Sequence, residues 1–220
     1  MASPLTPAPE AAQELSLTDR LRHDIVTGNL VPHQRLIEAD VAEAHDASRG
    51  EVRLALNELI TEGLVERIPN RGARVRKVSL AEAIEITEVR GAVESLCARK
   101  AAEKITDEQA EELRGIGAAM QQAVDRGARD EYSSLNRALH TLIIDIADQQ
   151  TAAQTIARLR GQAIRYHFQL STQPDRPQVS LPQHLAIIEA ICARDPQAAG
   201  AAMQGHLDSV TEAIATSRQG

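Results

Sequence analysis

The sequence predicts a mainly α-helical chain in two parts, an N-terminal winged helix-turn-helix and a C-terminal all-α antiparallel helical bundle. Three observations predict it. Residues 15–78 carry three helical apolar patterns followed by two short alternating runs around a Pro/Asn/Gly turn. From Ser79 onward the apolar spacing is helical and no strand pattern appears. Aromatic residues make up only 1% of the 220 residues, so the core must be built from Leu, Ile, Val and Ala, which suits helices packed on helices.

Residues 1–14 are rich in Pro and Ala without periodicity and read as a disordered tail. Leu17, Leu21 and Ile25 recur at helical spacing over Leu17–Thr27, and Gly28 ends that helix. Glu38–His45 is a second, short helix, closed by Asp46, which tolerates a left-handed backbone. Ser48 is a good N-cap for a third helix running to about Glu62, with Val52, Leu56, Leu59 and Ile60 on its apolar side. Leu64–Ile68 and Ala73–Lys77 flank Pro69-Asn70-Arg71-Gly72 and read as a β-hairpin. Helix, helix, turn, helix, hairpin is the order of a winged helix-turn-helix, here 15–78.

Six helices are expected in 79–220: Ser79 to about Glu103, Thr106 to about Gly127, Asp130–Ala147, Thr151–Leu170, Leu181–Arg194 and Pro196–Ser217. Thr106 with Gln109 resembles a capping box. Pro182 and Pro196 are placed in first turns, where Pro is tolerated, and Ser171–Ser180 is read as a loop.

A net charge of −7 gives no hint of nucleic-acid binding, but its distribution does. Residues 47–78 hold Arg49, Arg53, Arg67, Arg71, Arg74, Arg76 and Lys77 against Glu51, Glu58, Glu62 and Glu66. A local basic patch beside an acidic remainder suits phosphate contact at one face. Cys97 and Cys192 lie far apart and read as two buried thiols of a reducing compartment. With no apolar run long enough for a bilayer and no leader pattern, the chain is expected in the cytoplasm, with no membrane partner.

Arg49 and Arg53 are four apart, so they share one face at the start of the third helix, the part of such a fold that enters the major groove. Arg matches guanine O6/N7 or phosphate. Arg35 precedes the second helix and could reach the DNA backbone, while Asn70-Arg71-Gly72 forms a tip small enough for the minor groove, with Arg74 behind it.

These segments together (Arg35-Leu36-x-Glu38, Val41-Ala42-Glu43, Ser48-Arg49, Val52-Arg53-x-Ala55-Leu56, Leu59, Glu62-Gly63-Leu64-Val65 and Asn70-Arg71-Gly72-Ala73-x-Val75) resemble the GntR family of bacterial transcription regulators. The resemblance implies DNA contact by Arg35, Ser48, Arg49, Arg53 and Gly72; Arg71 is expected to add a contact from its place in the wing tip. Glu51 stands where the family often has Pro, and His45-Asp46-Ala47 where Leu, Gly and Val are more usual.

In the second part Asn136 and His140 share a helix face, His184 falls in the first turn of a later helix and His206 on the last. Four such N/O donors could converge in a bundle core on a divalent ion. By spacing alone, separate surface or hydrogen-bonded core histidines are the favoured reading. The pattern resembles the FCD domain of the FadR subgroup, whose metal-binding members share this order of Asp/Asn-x-x-x-His, His and His. The resemblance implies Asn136, His140, His184 and His206 as ligands of Zn, or else Ni or Mn, and Arg90 as an anchor for a small carboxylate effector. Arg90-x-x-x-Glu94 could equally be a plain i,i+4 ion pair. Asn136 replaces the commoner Asp and adds no charge, which favours an anionic ligand. The expectation is a homodimeric regulator, a repressor by preference, on a palindromic operator, and not an enzyme. The alternatives are a metal-independent sensor of a larger apolar ligand such as an acyl-CoA and, more remotely, a metal-dependent hydrolase.

Overall fold

The computed structural model describes residues 15–69, 72–171, 173 and 175–216. The expected tail at 1–14, and Asn70 and Arg71 at the wing tip, lie outside them.

The N-terminal module forms as its patterns require. Helix α1 (Leu17–Thr27) starts at Ser16, whose side chain accepts from the Asp19 N–H. Helix α2 (Glu38–His45) ends at Asp46, which takes the left-handed conformation at φ 49°. Helix α3 (Arg49–Thr61) begins with a complete capping box: Ser48 Oγ accepts from the Glu51 N–H and the Glu51 carboxylate accepts from the Ser48 N–H. Leu21, Ile25, Val52, Leu59, Val65 and Val75 are buried together beneath these helices. The hairpin is β2 (Val65–Ile68) and β3 (Gly72–Val75), with Ile68 opposite Gly72.

One element was not expected. Arg35–Leu36 is a strand, β1, pairing antiparallel with β3 so that the sheet order is β1-β3-β2. Two residues are too few to show an alternation, and only the partner strand reveals them. Gly72 has φ 85°, and a Cβ there would lie 3.3 Å from the Leu36 carbonyl oxygen, so the strand pairing itself favours glycine.

The second part is a bundle around α4 (Leu80–Lys104), which packs against α6 (Arg129–Ala147), α7 (Gln150–Gln162), α9 (Arg176–Cys192) and α10 (Pro196–Thr216), while α5 (Asp107–Asp125) lies on α6 and α9. Leu113, Met120, Leu139, Ile143, Ile187, Ile191 and Met203 fill its centre. Thr106 and Gln109 make the expected capping box for α5.

Two expectations fail here. The helix expected over Thr151–Leu170 is broken at Ala163 into α7 and α8 (Ile164–Ser171). The loop expected over Ser171–Ser180 is in large part helix, since α9 begins at Arg176. Pro177, not Pro182, takes the first-turn position, and Pro182 sits inside the helix. His184 is consequently in the middle of α9 rather than in its first turn. Cys97 is buried as expected, but Cys192 is only partly so.

The two parts touch at the α7–α8 break. Ile164 packs against the apolar core of the DNA-binding module and α1 lies along α8. A Cβ at Gly161 would fall 2.8 Å from the Glu62 carbonyl oxygen, so this close approach of α7 to the end of α3 requires glycine.

Candidate DNA interface and candidate metal centre

On the DNA-binding module, Arg35, Ser48, Arg49, Arg53 and Gly72 are all exposed. Arg49 opens α3 and Arg53 follows one turn later. Arg53 Nε donates to Glu38 Oε2 at 2.8 Å in an exposed pair, an interaction weak enough to be exchanged for a phosphate. Ser48 Oγ accepts from the helix, which leaves its own O–H free to donate. Glu51 is tied back to the Ser48 N–H, so it acts as a helix cap rather than projecting as a free acid. Arg74 pairs with Glu66 at 2.6 Å.

In the bundle, α6 carries Asn136 and His140, α9 carries His184 and α10 carries His206, and all four line one cavity of about 1010 Å³. The three histidines each bring a ring nitrogen within 4.8 Å of the others and form a buried cluster that could hold a metal ion. Their tautomers follow from their partners. His140 Nδ1 lies 3.0 Å from Glu94 Oε2, and a carboxylate can only accept, so Nδ1 holds the proton. Ser180 Oγ donates to the Arg176 carbonyl and therefore accepts from Tyr132 Oη at 2.8 Å. With its proton spent there, Tyr132 Oη accepts from His184 Nδ1 at 2.9 Å. His206 Nδ1 donates to Gln183 Oε1 at 2.9 Å. All three Nε2 atoms are thus lone-pair donors, and those of His184 and His206 face each other at 3.3 Å.

Two lone pairs at that distance repel unless a cation lies between or beside them. The remaining donor is in keeping: Asn136 Oδ1 is shielded from solvent and has no hydrogen-bond partner. The residues therefore fit a divalent ion, with outer hydrogen bonds fixing each imidazole as metal-binding histidines require. Burial and the neighbouring positive groups hold His184 and His206 well below the ordinary histidine range, and burial lowers His140 despite Glu94, so the rings favour the neutral form that can coordinate a cation.

Glu94 is the hub beneath the cluster. Its Oε1 accepts from Arg90 Nε at 3.0 Å and Nη2 at 2.8 Å, and its Oε2 from Arg160 Nη2 at 2.9 Å and His140. Although burial opposes its charge, Arg90 and Arg160 hold its carboxyl well below the usual carboxylate range. Arg90 makes the plain i,i+4 pair with Glu94 and also lines the cavity, with Nη1 against His167 Nε2. Sequence reasoning reached the four donors and Arg90 but missed Arg160 and the roles of Tyr132, Ser180 and Gln183. Tyr132 and His167 line the cavity, whereas Arg165 reaches toward Gly28.

A winged helix-turn-helix on a helical bundle with a buried histidine cluster defines a DNA-binding transcription regulator with a second domain built around a cavity. Residues 13–75 match the family described as "Bacterial regulatory proteins, gntR family", and residues 85–209 match the "FCD domain". The chain belongs to the GntR family of transcription regulators, in the group that carries an FCD domain. It is 33% identical over 215 residues, 98% of this chain and 93% of its relative, to the uncharacterised HTH-type transcriptional regulator YdfH of Escherichia coli O6:H1. It is 34% identical over 199 residues to the HTH-type transcriptional repressor RspR of E. coli K12, covering 90% and 87% of the two chains. Among solved structures, E. coli McbR/YncC superposes with a TM-score of 0.73 at 22% identity, over 92% of this chain and 98% of the other. The family and these relatives are transcription regulators, not enzymes. No described helix is long and apolar enough to cross a membrane.

Proposed function

We propose that this regulator is a homodimeric repressor whose FCD domain binds a divalent ion through Asn136, His140, His184 and His206 and thereby senses a small carboxylate. The observation that carries the reading is the convergence of three imidazole lone pairs beside an unpartnered Asn136 oxygen in one cavity. Zn suits this N/O set best, with Ni or Mn as substitutes, and when bound it supplies open coordination positions for an anion. Arg90 stands at the same cavity and reaches the ligand by its Nη1 edge.

In this reading Arg35, Ser48, Arg49, Arg53 and the Gly72 wing contact a palindromic operator, and Arg71, next to Gly72 in sequence, joins them. RspR, and a probable D-xylose utilization operon repressor of Paenarthrobacter nicotinovorans at 26% identity over 197 residues, are named repressors, which favours that sign here. A contiguous path joins the two sites. His140 is bonded to Glu94, Glu94 to Arg160, and the next residue, Gly161, packs on Glu62 at the end of α3. An anion that draws Arg160 off Glu94 shifts the α7–α8 break and with it the seating of the DNA-binding module, which is a differential affinity for two arrangements.

The test is a thermal-shift screen of small carboxylates on zinc-loaded protein. Compounds that raise the melting temperature are then assayed for operator affinity at fixed salt, because DNA affinities at different salt cannot be compared. The reading predicts at least one carboxylate that stabilises the loaded protein and weakens operator binding. Stabilisation by acyl-CoA thioesters, equal with and without metal, and none by any carboxylate would replace it with the metal-independent alternative.

A further inference from the structure

The arginines around the cavity are not equivalent. Arg22 is paired with Asp19 and Glu62, and Arg90 and Arg160 share Glu94. Arg137 and Arg158 also line the cavity but are exposed to water, whereas Arg176 is half-buried there without an ion pair among the described residues. Its Nη1 donates to the neutral Ser209 Oγ at 3.3 Å, while its Nη2 is shielded from solvent and has no hydrogen-bond partner. Ser209 lies one helical turn beyond His206 on α10, so the guanidinium is anchored beside the turn that carries a metal-facing histidine. The Arg176 carbonyl also receives the Ser180 hydroxyl, the end of the chain of hydrogen bonds that sets the His184 tautomer.

We propose that Arg176 binds a second acidic group of the effector, so that the effector is a dianion with one carboxylate at the histidine cluster and another on Arg176. This rests on the carboxylate reading above. A partly buried guanidinium with an unused N–H is costly unless an anion matches it, and the fork of Arg suits a carboxylate held by two parallel hydrogen bonds. Among the described cavity-lining side chains only Glu62 is acidic, and it is paired with Arg22, so a ligand anion is the counterpart that fits. A cavity of about 1010 Å³ has room for two acidic groups separated by a carbon chain. The lowering of the Arg176 pKa by burial is in line with a charge that lacks its counterpart.

Calorimetric titration of the zinc-loaded full-length protein with two pairs of acids tests this: glutarate against valerate, and succinate against butyrate. Within each pair the chain length is equal and only the second carboxylate differs. Wild type should bind one of the diacids about 10-fold or more tighter than its monoacid, the worth of one charge-assisted contact. Arg176→Gln should lose that preference while zinc content and monoacid affinity stay unchanged. Arg176→Lys, which keeps the charge without the fork, should retain part of the preference and serves if the Gln variant fails to hold zinc. Equal binding of diacid and monoacid by wild type, or a preference that survives in Arg176→Gln, overturns the role of Arg176 and leaves the carboxylate reading intact. Failure of all four acids to bind zinc-loaded wild type overturns both.

Discussion

The two ends of this protein use arginine in opposite ways. On the DNA-binding module, Arg35, Arg49 and Arg53 are exposed and at most loosely paired, ready to trade water or Glu38 for phosphate and base edges. In the bundle, Arg90 and Arg160 are locked onto a buried Glu94 that also fixes a histidine ring. The first arrangement costs little to form and is screened by salt. The second is expensive to desolvate, holds a fixed geometry, and cannot lose one member cheaply. A surface that must find and release DNA suits the first, and a pocket that must keep four donors in place suits the second.

The largest break in that contrast comes from Glu94→Gln. It leaves the buried Arg90 and the half-buried Arg160 without their counter-charge and should destabilise the chain by about 3 kcal/mol in chemical denaturation. It also leaves a single amide oxygen where two carboxylate oxygens serve His140, Arg90 and Arg160, so the His140 ring is less firmly oriented and metal affinity should fall by roughly 10–100-fold. The sign with pH follows from the depressed Glu94 pKa. Its contribution is present above the ordinary carboxyl value of 4.5 and is lost as pH falls through the lower folded value, so wild type and variant should converge in stability only under strong acid.

Arg49→Ala should act on the other region alone. A lost base or phosphate contact costs about 1–3 kcal/mol, or roughly 10–100-fold in operator affinity by fluorescence anisotropy at fixed salt, with zinc content unaltered. Arg53→Ala should cost less, because wild type must first give up the Glu38 pair. Unchanged binding in both variants would overturn the assignment of α3 as the reading helix. Ser48→Ala removes the α3 cap and should cost about 1 kcal/mol of stability. Gly161→Ala should be smallest and the most informative about communication. Its Cβ collides with the Glu62 backbone, so operator affinity should change a few-fold while zinc binding does not. A change in neither would place the coupling elsewhere.

How far each region could be read from sequence follows the same division. The DNA-binding module is built from local signals: the Gly28 and Asp46 helix ends and the Ser48 cap are each decided within a few residues, and they form where expected. Only β1 escaped, because a two-residue strand exists through its partner. The bundle site is non-local. The His pattern could be placed through family resemblance, but Glu94 meets His140 46 residues away and Arg160 66 residues away, and no spacing rule announces such pairs. The break at Ala163 and the early start of α9 were missed for a related reason. Proline rules say that a first turn accepts Pro, and they do not say which of Pro177 and Pro182 occupies it.

The account depends most on the claim that three imidazole lone pairs and the Asn136 oxygen form a metal centre. Elemental analysis of protein purified without chelator, for wild type and His184→Ala, tests it directly. The prediction is about one divalent ion per chain in wild type and almost none in the variant, with both folded by circular dichroism. Wild type free of Zn, Ni and Mn after loading and desalting, or a variant that retains its ion, would contradict it.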